Sequence, residues 1–197
     1  MRLIIASNNA HKIREIREIL GGYFTELCSM KEAGVVLEVE EDGDTFRANA
    51  LKKARETLAV SGFDAALSDD SGLMVDALNG APGVYSARYA GDGHDDAANN
   101  VKLLADMAEV PDNERTCRFV SAVALVMKDG REFIAEGAVE GILLRAPQGE
   151  NGFGYDPLFY YPEFEHSFAE ISAEQKNSIS HRKNALTKLQ TMLEGQL

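Results

Sequence analysis

The sequence predicts a mixed α/β fold, a sheet with parallel and antiparallel strands and flanking helices. Near the N-terminus the apolar run Leu3-Ile4-Ile5-Ala6 gives way to polar Ser7-Asn8-Asn9. A helical spacing of Ile13, Ile16 and Leu20 follows, so this part reads as strand, loop, helix. Further on, the apolar stretch 119–127 leads through Asp129-Gly130 into a second strand-like run, Arg131 to Glu136. That pattern is a two-residue hairpin signal. A chain whose strands arise both from helix crossovers and from a hairpin carries a mixed sheet.

The remaining elements follow in order. Gly21-Gly22 stops the first helix. A second helix starts near Asp44-Thr45, puts Phe46, Ala50, Ala54 and Leu58 on one face, and ends before Gly62. Ala65 to Ser68 is a short strand that ends at the paired Asp69-Asp70. Gly80-Ala81-Pro82-Gly83 and Asp92-Gly93-His94-Asp95 are loops. Asp95 to Ala108 is helical through Ala97, Val101, Leu104 and Ala108. Gly149 to Gly154, GENGFG, is too glycine-rich for a regular element. A last helix runs from about Ser180 to Leu193, with Leu186, Leu189 and Leu193 inward. No internal repeat, low-complexity tract or linker interrupts the chain.

At 197 residues the chain is long enough for one domain with a proper core. No apolar run approaches the ~20 residues of a membrane span, and MRLIIASNNAHK lacks a signal-peptide core, so a cytoplasmic protein is expected. Cys28 and Cys117 show no metal or disulfide spacing and read as buried, reduced thiols. The 32 acidic against 20 basic residues disfavour broad binding to a nucleic-acid backbone. They leave room for a small anionic ligand held by a few focused cations or a metal.

Four stretches carry candidate chemistry, each with a plain alternative. Ser7-Asn8-Asn9-Ala10-His11-Lys12 opens the first helix, where free N–H groups favour anions; Ser and Asn are also ordinary N-caps. The run Glu38, Glu40, Glu41, Asp42, Asp44 is a solvated loop, or offers a carboxylate to a divalent ion such as Mg²⁺. Asp69-Asp70 forms an Asx-type turn into Ser71-Gly72, or a carboxylate pair that needs a cation beside it and can take a proton from water. Lys52 and Lys53 are solvated, or Lys53 joins Asn49 at i, i+4 to face a phosphate. Two later segments look suited to a heterocycle. GENGFGYDP offers Phe153 and Tyr155 for stacking and Asp156 as an acceptor. KNSISHRKNAL places Ser180, His181 and Arg182 at a helix start, as donors to a carbonyl or phosphate.

Taken together, SNNAHKIREI, EEDGDTFRANALKKA, LSDDSGLMVDALNGAPGVYSARYAG, GFGYDPLF and AEISAEQKNSISHRKNAL resemble, in order and separation, the inosine triphosphate pyrophosphatase family. The resemblance spans Leu3 to about Leu189. It implies an elongated α/β fold, residues 1–197 as a single domain of two lobes around a central substrate cleft, in a homodimer. It implies Mg²⁺-dependent hydrolysis of ITP, dITP and XTP to the monophosphate and pyrophosphate. Carried onto this sequence, Ser7, Asn8, Asn9, Ala10, His11 and Lys12 grip the triphosphate and Lys53 assists. Glu41 and Asp70 serve the metal, Asp70 takes the proton of the attacking water, and Asp69 and Asn49 support them. Ser71 touches the substrate. Phe153, Gly154, Tyr155, Asp156, Lys176, His181 and Arg182 enclose the base and read its 6-keto edge. The rivals are a nucleotide pyrophosphatase of another base preference and a catalytically silent nucleotide-binding module.

Overall fold

The computed structural model describes residues 1–196; the side chain of His11 lies outside the described residues. Seven strands form one sheet in the order β2-β1-β3-β4-β5-β6-β7. They are β1 (Arg2–Ile5), β2 (Glu26–Ser29), β3 (Ala65–Val75), β4 (Thr116–Met127), β5 (Glu132–Leu143), β6 (Phe159–Tyr161) and β7 (His166–Ser167). Strand β1 pairs in parallel with β2 and β3, while β6 pairs antiparallel with β5 and β7. The mixed sheet expected from the crossovers and the hairpin is therefore present. The helices are α1 (Ala10–Leu20), α2 (Phe46–Ser61), α3 (Asp96–Asp106), α4 (Ala173–Ile179) and α5 (His181–Leu193).

Local chemistry sets the helix ends. Thr45 caps α2, its hydroxyl accepting from the Ala48 N–H at 3.1 Å. Gly62, at φ 70°, closes α2 in the left-handed conformation that a side chain resists. Asp95 caps α3 by accepting from the N–H groups of Ala97 and Ala98.

The chain divides into two compact units. The first holds Met1–Asp70, Ser121–Gly137 and the chain from Arg182 on; the second holds Ser71–Val120 and Ala138–His181. Each has its own apolar core. In the first, Leu3, Ile5, Ile16, Leu20, Leu67, Val123, Leu125 and the inward face of α5 (Ala185, Leu186, Leu189, Leu193) pack together. In the second, Leu73, Leu103, Met107, Phe119, Leu158, Phe159 and Phe168 do so.

Three expectations need correction. The strand expected to stop at Ser68 continues as β3 to Val75, so Asp69 and Asp70 lie inside a strand and not at its end or in an Asx turn. Charged side chains are poor strand residues unless partners meet them, and here the partners come from far along the sequence. Cys117 is buried as expected, but Cys28, on edge strand β2, is only half-buried. The short elements β2, β6, β7 and α4 were not expected from periodicity, being too brief to show one.

Candidate active site

In the first unit, β1 leads into the loop before α1. The Ser7 hydroxyl accepts from the Asn9 N–H at 3.1 Å, and Asn9 Oδ1 accepts from the Lys12 N–H at 3.2 Å. Both side chains thus brace the first turn of α1. One turn in, Lys12 Nζ lies 2.7 Å from Asp69 Oδ2. Arg182, at the start of α5, donates from Nε to the same oxygen at 3.0 Å, and the Ser121 hydroxyl of β4 donates to Asp69 Oδ1. The Arg182 Nη1 also donates to both oxygens of Glu15, at 3.2 and 3.1 Å. Arg182, Glu15 and Asp69 are all buried. Burial alone would raise the Asp69 pKa. The charges of Arg182 and Lys12 overwhelm it and hold the carboxyl far below the usual range.

Asp70 behaves oppositely. It is 8% exposed, and burial followed by the nearby Glu41 charge lifts its pKa to about 6, against the pull of Lys53, Lys12 and the Asn49 amide. From the acid run, Glu41 is ion-paired with Lys53 of α2, and Asp42 takes Lys52 at 2.7 Å nearer the surface. Asn49 Oδ1 accepts from the Gly43 N–H at 2.7 Å. Helix α2 thus ties down the acid loop with Asn49, Lys52 and Lys53. The mutual influence of Glu41 and Asp70 gives two hard carboxylates at one place, repelling each other. That donor set suits a divalent ion of the Mg²⁺ type, which takes one or two protein carboxylates.

The second unit carries another set. Lys176 Nζ lies 2.5 Å from Asp156 Oδ2 and 4.5 Å from the centroid of the Phe153 ring. The Phe153 N–H donates to the same Asp156 oxygen at 2.9 Å. Gly152, at φ 79°, is required here: a Cβ on it would meet Asp156 Oδ2 at 2.2 Å. Phe153 is 42% exposed. Tyr155 is buried, its hydroxyl donating to the Ser86 carbonyl at 2.8 Å, so it serves the core while Phe153 offers the open face. His181 is buried and stacks on Phe119 with centroids 5.2 Å apart. Ser71, half-buried, begins this unit's share of β3.

The structure thus brings Lys12, Asp69 and Arg182 together, groups Glu41, Lys53 and Asn49 around Asp70, and joins Phe153, Asp156 and Lys176. Asn8 and Ala10 are exposed beside the α1 start. Sequence reasoning missed Glu15 and Ser121. Glu15 lies three residues after Lys12 on one helix face, a spacing that was legible. The partner that makes it matter, Arg182, is 167 residues away.

Comparison with known proteins adds independent observations. Residues 3–192 match the model of the Ham1 family. A dITP/XTP pyrophosphatase of Clostridium perfringens is 48% identical, over 98% of this chain and 98% of that protein. One of Desulforamulus reducens is 51% identical, over 98% and 96%. The Ham1 protein of Staphylococcus aureus superposes with a TM-score of 0.89 at 40% identity, over 100% of both chains.

Proposed function

This chain belongs to the Ham1 family, and we propose on that basis that it hydrolyses non-standard purine nucleoside triphosphates, dITP, ITP and XTP, to the monophosphate and pyrophosphate. The observation that carries the reading is the contrast between neighbours in β3. Asp69 is locked in its charged form by Lys12 and Arg182, whereas Asp70 is poised at about 6. Of the two neighbours, Asp70, raised by burial and by Glu41, is the better proton acceptor. Water attacks the α-phosphorus, its proton passes to Asp70, and the bond to the β-phosphate oxygen breaks so that pyrophosphate leaves with the electron pair.

Glu41 and Asp70 are the residues that would hold Mg²⁺. Bound there, such an ion supplies charge neutralisation on the phosphates and a more acidic water. Lys12 and Lys53 bring positive charge for the triphosphate, each held in place by a carboxylate, Asp69 and Glu41. The loop Ser7, Asn8 and Asn9, with the backbone of Ala10 and His11 at the start of α1, offers donors to an anion. On the second unit, Phe153 offers a stacking face, backed by Gly154 and Tyr155. Lys176 and His181 are the donors we assign to the 6-keto edge, with Asp156 orienting Lys176, and Ser71 contacts the substrate. Arg182, for which the resemblance implied the same role, is buried in the first unit with its guanidinium on Asp69 and Glu15, so we assign it to holding Asp69. Donors aimed at a keto oxygen are left unpaired by the amino group of adenine, a mismatch that discriminates by up to ~10⁴. The same reading takes the two units as lobes of one domain, the chain as a homodimer and the cytoplasm as its setting; light scattering checks the dimer.

Pyrophosphate release from ITP, XTP, GTP and ATP, with Mg²⁺ and with chelator, tests the reading. Rapid release from ITP and XTP that stops with chelator, with ATP slower by orders of magnitude, is the expected result. Equal rates on all four would remove the base-reading roles, and nucleotide binding without release would leave a sensor.

A further inference from the structure

Helix α3 took no part in the sites above, yet two of its side chains hold the loop that carries Phe153. Asp96 and Asn100 stand at i, i+4 on one helix face and hold the same residue, one at its N–H and the other at its carbonyl. Asp96 Oδ2 accepts from the Gly154 N–H at 2.7 Å, and Asn100 Nδ2 donates to the Gly154 carbonyl at 2.9 Å. The neighbouring Asn99 does the same for another segment, accepting from the Ala90 N–H at 2.7 Å and donating to the Ala87 carbonyl at 3.2 Å. Asp95 is already spent as the cap of α3, which leaves Asp96 to reach outward. Asn100 Oδ1 is buried without a hydrogen-bond partner among the described residues. Burying an amide so incompletely satisfied is costly, and what the residue gains in return is its hold on Gly154.

Gly154 is the residue between Phe153 and Tyr155. Tyr155 is anchored in the core through Ser86, and the Phe153 N–H is anchored to Asp156. Without Asp96 and Asn100, the backbone between those anchors is set by its glycine alone. We propose that Asp96 and Asn100 are positioning residues for base selection. They fix the two peptides that flank the Gly154 Cα so that the Phe153 ring keeps its place beside Lys176. This rests on the base-reading role given above to Phe153 and Lys176. They touch no substrate themselves, so they govern how well the base is held and distinguished, leaving the chemical step intact.

The test is steady-state kinetics of Asp96→Ala, Asn100→Ala and Asn100→Asp on ITP and ATP, with hydrogen exchange at the Gly154 amide. Asp96→Asn, which keeps an acceptor oxygen, is the conservative control. Expected are a KM for ITP raised about tenfold, ~1.4 kcal/mol, with kcat within about twofold, and a reduced preference for ITP over ATP. Asn100→Asp, which has no donor for the Gly154 carbonyl, behaves as Asn100→Ala; Asp96→Asn stays near wild type. Exchange at Gly154 accelerates in Asp96→Ala. Asp96 is exposed, so its variants carry the test even if Asn100→Ala does not fold. Folded variants with unchanged KM, preference and exchange overturn the proposal, as does a fall in kcat shared equally by all nucleotides. A wild-type enzyme that never distinguished ITP from ATP overturns the base-reading role itself, and is recognised before any variant is made.

Discussion

Each unit buries an aspartate against a lysine. In the first, Asp69 at 2% exposure meets Lys12, Arg182 and Ser121; in the second, Asp156 at 1% meets Lys176 and the Phe153 N–H. The surroundings separate them. Asp69 and its neighbour Asp70, with Glu15 and Glu41 beside them, face the cations Lys12, Arg182 and Lys53, four carboxylates to three cations, so the set stays short of positive charge. Around Asp156 the charge is balanced by Lys176, and the next neighbour is an open aromatic ring. One arrangement is suited to a cation and phosphates, the other to a neutral, flat ring. A buried Lys–Asp pair by itself therefore says little about chemistry, and what borders it decides.

Breaking the first set should have the largest effect. Asp70→Asn should cost about 10³-fold in kcat while circular dichroism stays that of a folded protein. Retention of more than about a tenth of the activity, ~1.4 kcal/mol of barrier, would remove Asp70 from the proton-accepting role. Next comes Arg182→Met, which leaves Asp69 and Glu15 buried without their shared guanidinium. A loss of about 3–5 kcal/mol in stability is expected from urea unfolding, and a loss under about 1 would show that Lys12 and Ser121 suffice. Lys176→Met, the matching cut in the second set, should cost less stability, since only one carboxylate is stranded.

Phe153→Ala sharpens the contrast from the other side. Half-exposed and outside the core, the ring should matter little to stability but about 1 kcal/mol or more to base binding, seen as a raised KM for ITP. An unchanged KM would leave the second set without its stacking face. The smallest effect concerns thiols. Burial pushes Cys117 up to about 12, so only Cys28 should react with a thiol reagent at pH 8. The neutral Cys117 thiol favours the fold fully below pH about 9, and that contribution fades as pH rises toward about 12. Labelling of Cys117 in the native state would show the second core to be open.

The sequence made the periodic parts legible. Helix α2 starts just after Asp44-Thr45 and ends before Gly62, as expected, and α5 turns inward the three leucines expected of it. Strand β3 was cut short because two adjacent carboxylates look like a loop. What lets the strand run on is Lys12, Ser121 and Arg182, which lie 57, 52 and 113 residues from Asp69. Neutralisation at such separations leaves no local pattern. The motifs pointed to Asp69, Asp70, Glu41 and Lys12 as candidates. The opposite electrostatics of the two aspartates, and the hold of α3 on Gly154, exist only once the chain is folded.

The sharing of Asp69 among three donors also bears on how this protein can change over generations. Lys12, Ser121 and Arg182 all terminate on one carboxyl group, and Arg182 carries Glu15 as well. Replacing any one alters the worth of the others, so their effects should be strongly non-additive. Single steps at these positions lead into valleys, and an alternative arrangement is reached only by coordinated replacement. A surface pair such as Arg55–Glu132 joins one cation to one carboxylate and can drift one residue at a time.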